Sequence, residues 1–292
     1  SLLGYQRAEE TTADQSAIRY LDATGQSAKG MLTTFGRFQS ALSLTGARVD
    51  PYRVSHPMPR ERIANLETMA KASSNYDKTD SASLQLRHDL MRAKIAVFTQ
   101  GPGGLSRIGR KVDPLAIQYG QAVAAYLSGS PKNAIAKAEA LEKAAPKNPY
   151  FVELKGDSLI KANRPKDAAA AYQKAIKLDP NRSSMLQVSL GQALVAAGDT
   201  ASAEKAVKVL KAGLADDKEN AAGYQYLAQA YGMLGQVGQA DLAIADQQFY
   251  LGKYFDASVF ATRAQKQLKA GSPEWLRAQD IIRFKQPKAK RG

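Results

Sequence analysis

From residue 115 onward the chain repeats itself. Pro146 and Pro180 stand 34 residues apart, and Gly156, Ala168, Tyr172 and Ala175 hold fixed places ahead of Pro180. The stretch from Leu115 puts Ala122, Ala134, Leu141 and Pro146 in the matching places. A third unit begins near Ser184, with Gly191, Leu194, Gly198 and Ala203, and a fourth near Ala221, with Ala228, Tyr231, Gly235 and Ala240. Such a unit reads as two helices and a turn. Gly or Ala at the eighth and twentieth places lets the two helices approach closely, and the closing Pro cannot continue the second helix. One hairpin cannot bury its own apolar face, so several must stack. The third unit drifts after Val207, where "KVLKAGLADDKEN" does not end in Pro.

This period and its small residues resemble the tetratricopeptide repeat. The resemblance implies a superhelical stack that exposes the first helix of each unit on its concave side. Places two, five, nine, twelve and thirteen face inward in that family. They nominate Tyr119, Val123 and Tyr126 in the first unit, Tyr150, Glu153, Asp157 and Lys161 in the second, and Gln225, Gln229 and Met233 in the fourth. Aromatics with a few polar groups suit a peptide partner. Beyond Gly252 a half-repeat follows. "SPEWLRAQDIIRF" then supplies a last helix, with Ser272 as N-cap and Pro273 at its first position. Trp275, the only Trp, is expected to cover the end of the stack.

The first hundred residues also read helical. Helices are expected over 4–23, 27–45, 59–72 and 81–98, with Gly25 closing the first. Met31, Phe35, Phe38 and Leu42 form one apolar stripe on the second. Residues 99–114, "TQGPGGLSRIGRKVDP", are rich in Gly and Pro and read as a linker. No Gly-Lys-Ser/Thr follows, which removes a phosphate-loop reading. No segment alternates as a strand would, so the fold expected is all-α. Residues 1–98 form one part, 115–284 the repeat domain, and 285–292 a disordered basic tail.

There is no Cys among the 292 residues, which excludes disulfides and thiolate metal sites and fits an oxidising compartment such as the periplasm. No apolar run approaches the roughly 20 residues of a membrane span. The formal net charge is +14, and Arg283, Lys285, Lys288, Lys290 and Arg291 crowd the C-terminus. That tail reads as solvated, with weak contact to an anionic membrane as the sharper expectation. No nucleic-acid recognition module is visible, so no nucleic acid is expected as partner. A chain that opens in a helical pattern with Ser rather than Met is expected to be a fragment or a processed product.

The chemistry rests on "YQRAEETTADQ", residues 5–15. Glu10 and Asp14 are four apart and share one helix face. Spacing alone leaves two readings open: a solvated acidic face balanced by Arg7, or one side of a metal site. Arg7-x-x-Glu10-x-x-Ala13-Asp14, with "SHPMPRERI" at 55–63, resembles the HtpX/CAAX-prenyl-protease type of zinc metallopeptidases. Helices followed by a repeat array resemble its periplasmic BepA-like branch. One departure is Gln6, where the family has Ser. The resemblance implies that residues 1–98 end a helical metallopeptidase domain. Glu10 would be the third zinc ligand, Asp14 the carboxylate behind the first shell of ligands, and His56 a residue near the metal. The family's other two ligands and its general base come from an HExxH helix. This chain has no HExxH; its only His are His56 and His88, the second read as structural or exposed. Alone, the chain is expected neither to hold zinc tightly nor to hydrolyse peptides, and the resemblance assigns zinc to a parent protein.

Three functional readings follow. One is the C-terminal part of a bacterial envelope metalloendopeptidase that works in protein quality control. There its repeats take peptide or unfolded protein and other envelope proteins. Another is a non-catalytic repeat scaffold. A third and weaker reading is a basic protein that binds lipid or nucleic acid through its tail.

Overall fold

The computed structural model describes residues 2–44, 60–109, 111–181 and 183–284, with backbone only for 2–7, 41–44, 60 and 61. Helices and turns account for all of it, and no strand occurs among the described residues. Two compact units divide between Arg87 and His88.

The first unit contains α1 (Leu2–Ala23), α2 (Lys29–Leu44) and α3 (Arg60–Lys71). Both α1 and α2 pack against α3. Among the described residues its core is Ile18, Ala28, Leu66 and Ala70, with Met31, Leu32 and Phe35 leaning on it. Gly25 ends α1 as expected, at φ +68, and the Gln26 amide reaches back to the Leu21 carbonyl at 2.7 Å. The loop after α3 is tied to the end of α1, where Ser73 donates to Asp22 and Asn75 Nδ2 donates to the same carboxylate at 2.9 Å. The α2 stripe divides: Met31 and Phe35 face the core, whereas Phe38 is exposed. The Leu42 side chain lies outside the described residues, as do that of Arg7, residue His56 and the tail 285–292.

The second unit starts within α4 (Ala82–Gln100). It continues through a 3-10 turn (Pro102–Arg107) into the array: α5 (Pro114–Leu127), α6 (Pro131–Ala144), α7 (Pro149–Lys161), α8 (Pro165–Leu178), α9 (Ser184–Ala196), α10 (Thr200–Asp216), α11 (Ala221–Met233) and α12 (Val237–Tyr250). Consecutive helices from α5 to α12 pack as neighbours, and α11 also meets α9, the arrangement of stacked hairpins. Pro opens α5, α6, α7 and α8 at its first position, where the missing N–H has no helical acceptor to lose. Asp113, Asn148, Asp199 and Asn220 cap α5, α7, α10 and α11 through their side chains.

The eighth and twentieth places behave as their size dictates. A Cβ on Gly156 would meet the Tyr172 ring at 2.7 Å, and one on Gly191 would meet Leu210 at 2.4 Å. Ala134, Ala168 and Ala203 on the second helices are fully buried. The drift of the third unit has a cause. Helix α10 has 17 residues against 14 in α6, α8 and α12, nearly one extra turn before α11 begins.

The stretch expected as a linker holds the 3-10 turn, and Gly104 is buried there. A Cβ at that position would lie 2.4 Å from the Ala96 carbonyl oxygen, so only Gly permits the turn to lie on α4. At the other end, α13 (Tyr254–Gln265) and α14 (Pro273–Arg283) close the array over Leu242 and Ala245. Ser272 caps α14 by accepting from the Trp275 amide at 3.2 Å. Trp275 is half-buried, and Phe284 packs edge-on against Phe249 at 4.9 Å.

A paired carboxylate face and a repeat surface

Glu10 and Asp14 lie on one face of α1, and a single guanidinium serves both. Arg62, in the first turn of α3, donates through Nη2 to Glu10 Oε2 at 2.8 Å and through Nε to Asp14 Oδ2. The side chains of Arg62 and Asp14 retain 10% and 8% of their exposure, and Glu10 retains 22%, which leaves Glu10 the more accessible carboxylate. The Phe35 ring lies 5.8 Å beneath the guanidinium. The hydrogen bond to Asp14 is the main reason the Arg62 pKa is raised; burial opposes it and the charges of Asp14 and Glu10 add to it. Two carboxylates one turn apart repel each other. The cation from α3 removes that cost and pins α1 to α3. Arg62 is therefore a residue of this site. Its place in "SHPMPRERI" was visible in the sequence; its partners, 48 and 52 residues away, were not.

Among the described residues no group of three or more His, Cys, Asp or Glu could hold a metal ion. A catalytic zinc takes three protein ligands. Glu10 is one suitable oxygen donor with an accessible edge. Arg62 engages both Glu10 and Asp14, Asp14 is the more buried of the two, and His88 sits on α4 with 54% of its side chain exposed. The described residues thus fit one ligand position and do not complete a zinc site.

The repeat surface differs from the concave face expected. Tyr119 and Val123 are only 3% and 1% exposed and are core residues. Beside them on α5, Gly120 lies against α4 and the 3-10 turn. A Cβ on Gly120 would meet Leu105 of the 3-10 turn at 2.4 Å and Ala93 at 3.3 Å, so both elements pack against α5. Asp89, buried on α4, accepts from the Asp113 amide at 3.0 Å and fixes that packing. The Tyr119 ring meets Phe151 at 5.7 Å.

Tyr126, Tyr150, Glu153 and Asp157 are half-buried. Lys161 places its Nζ 3.8 Å over the Tyr126 ring and donates to the Tyr126 carbonyl at 3.0 Å. Burial raises the Glu153 pKa against the pull of Lys94. Gln225, Gln229 and Met233 on α11 are exposed.

Asp157 accepts a hydrogen bond of 2.6 Å from the Tyr172 hydroxyl. Burial raises its pKa; that hydrogen bond, Lys94 and Lys161 act in the other direction. A carboxyl with a raised folded-state pKa holds more protons folded than unfolded, so its contribution to stability falls as pH rises from the ordinary Asp range through the raised value. Asp157→Asn keeps an acceptor for Tyr172 and removes the titration. We expect the variant to gain stability relative to the parent as pH rises above the ordinary Asp range in urea unfolding; parallel pH profiles would contradict this.

Residues 1–70 match the sequence model described as peptidase family M48, and residues 153–218 match one described as tetratricopeptide repeat. The beta-barrel assembly-enhancing protease of Escherichia coli strain K12 is 22% identical over 286 residues, 94% of this chain and 56% of that protein. The protein of the same name from Yersinia pestis is 24% identical over 286 residues, 94% of this chain and 57% of its own length. The chain therefore spans little more than half the length of the curated relatives it matches. Among solved structures, the crystal structure of MamA is 20% identical and covers 55% of this chain and 90% of its own, at a TM-score of 0.43. The chain thus joins a segment that matches the model of peptidase family M48 to an array of helical hairpins, part of which matches the tetratricopeptide-repeat model.

Proposed function

We propose that the chain is the C-terminal part of a bacterial zinc metalloendopeptidase of the cell envelope, in which Glu10 ligates the metal. The supporting observation is the position of Glu10. It is the accessible member of a carboxylate pair fixed by Arg62, within the segment that matches the peptidase family. When bound, the metal would polarise the scissile carbonyl and activate water. The chain's own part is to hold one carboxylate oxygen in place. Asp14 and Arg62 set the rotation of that carboxylate, and His56 is the residue of the His-Pro segment assigned near it by family resemblance. The repeats supply a surface for unfolded polypeptide or envelope partners, centred on Tyr126, Tyr150 and the exposed Gln225, Gln229 and Met233. Taken alone, the chain lacks HExxH and is inactive in this reading, without tightly bound zinc. The periplasm is the compartment proposed, by likeness to the relatives. The basic tail adds weak contact with anionic membranes.

In the complete gene product, Glu10→Gln is expected to abolish cleavage of an unfolded protein such as casein. Its neighbour Glu9→Gln, also acidic but exposed, should leave cleavage unchanged. Equal activity in the two variants would remove the peptidase role of Glu10 and leave the alternative, a repeat scaffold without chemistry.

A further inference from the structure

Two clefts lie between successive second helices of the array, and they differ in charge. The first, about 310 Å³, is bordered by α6, α7 and α8. Its ions neutralise one another: Glu142 takes Lys174 at 2.6 Å and Lys155 at 3.2 Å, and Glu139 takes Lys155 at 3.2 Å. The second, about 430 Å³, is bordered by α10, α11, α12 and α14. Its rim carries Lys211, Lys218 and Arg277 against one acid, Asp246. Asp246 is already held by Arg277 at 2.7 Å. Neither lysine forms an ion pair with another described residue, and the lining itself carries three basic groups against one acid, with Asp216, Asp217 and Glu219 beside Lys218 in the chain.

Its lining is built for more than an ion. Tyr224 and Tyr250 stack with centroids 5.5 Å apart and an interplanar angle of 15°, beside Leu214 and Leu227. Arg277 lies over Phe249 at 5.2 Å and Tyr250 at 6.0 Å, which fixes its head at the cleft edge. Its Nη2 is buried and has no hydrogen bond of good geometry, although Asp246 Oδ1 is within ion-pair distance. Stacked phenol rings present an apolar flank and two hydroxyls to a flat side chain. Lysines at the rim favour carboxylates.

We propose that this cleft is a docking site for an acidic peptide segment that carries an aromatic residue. The ring lies along the Tyr224–Tyr250 stack, and the flanking carboxylates meet Lys211 and Lys218. The site draws Tyr224 and Leu227 from α11, which also carries Gln225 and Gln229 of the surface assigned to polypeptide above, and its other residues from α10, the turn after it, α12 and α14. It extends the reading that the array binds polypeptide and does not depend on Glu10 being a metal ligand.

The test is fluorescence anisotropy of the full chain with a labelled acetyl-Gly-Asp-Phe-Glu-Gly peptide, beside the Asn-Phe-Gln version of the same peptide. Saturable binding of the acidic peptide is expected. It should weaken about tenfold for the uncharged peptide and for Lys211→Glu with Lys218→Glu, and fall steeply with salt. Lys155→Ala, in the balanced cleft, should leave binding unchanged. Melting curves establish that each variant is folded. No saturable binding, or equal binding by the lysine variant, overturns the proposal. So does sedimentation with phosphatidylglycerol vesicles that needs the same lysines while the peptide fails to bind. Binding lost only in Gln229→Ala would place the peptide on the concave surface instead and leave the proposed function standing.

Discussion

Arg62→Ala is expected to unfold the first unit well before the second. The substitution leaves two carboxylates on one face of α1, one of them nearly fully buried, without the guanidinium that serves both. Removing one partner of a buried pair costs about 3–5 kcal/mol because a charge is stranded. The lower end applies here, since Glu10 keeps contact with water. The cation contact with Phe35 is lost as well. Among the described residues the core of this unit has four buried apolar side chains, a small reserve against that loss. Hydrogen exchange should therefore show α1 and α3 amides losing protection together, while α7 to α10 keep theirs. Pairing Arg62→Met with Asp14→Leu should restore much of the stability, because apolar replacement of a whole buried pair is often neutral. Unchanged protection in Arg62→Ala would show that the pair does not hold α1 to α3.

Tyr172→Ala is the largest single loss expected in the repeat unit. Tyr172 is only 1% exposed, and its ring fills the gap left by the missing side chain of Gly156. Truncating a buried aromatic costs about 3–5 kcal/mol. Gly156→Ala works on the same contact from the other side. Its Cβ would sit 2.7 Å from the ring, and overpacking of that kind costs about 1–3 kcal/mol. The two are predicted to be strongly coupled: with the ring gone, the alanine methyl enters the space it vacated. Urea unfolding of the double variant should show less destabilisation than the sum of the singles. Additive losses would mean that Gly156 is small for some other reason.

These two contacts mark how much of the molecule was legible in its sequence. Gly156 and Tyr172 belong to one repeat and recur at fixed places, so the close approach of α7 and α8 followed from spacing alone. The extra length of α10 was visible only as a loss of register after Val207. The burial of Tyr119 and Val123 was not legible, because place numbers assume that solvent lines the concave face. Here a helix from outside the repeats, α4, packs on α5 at Gly120 and Ala93. The site at α1 was half legible. Glu10 and Asp14 share a helix face by arithmetic, but Arg62 reaches them across about fifty residues, a tertiary contact that no local pattern records. The cleft between α10 and α14 was silent for the same reason, since Lys211, Tyr224, Tyr250 and Arg277 come from four different helices.

Metal content measured by mass spectrometry on the complete gene product decides the account most directly. The parent protein is predicted to carry zinc, Asp14→Asn to hold it about 10–100-fold more weakly, Glu10→Gln to lose most of it, and Glu9→Gln to retain it in full. Full zinc occupancy in Glu10→Gln would contradict the account and leave α1 a structural helix at the head of a repeat array.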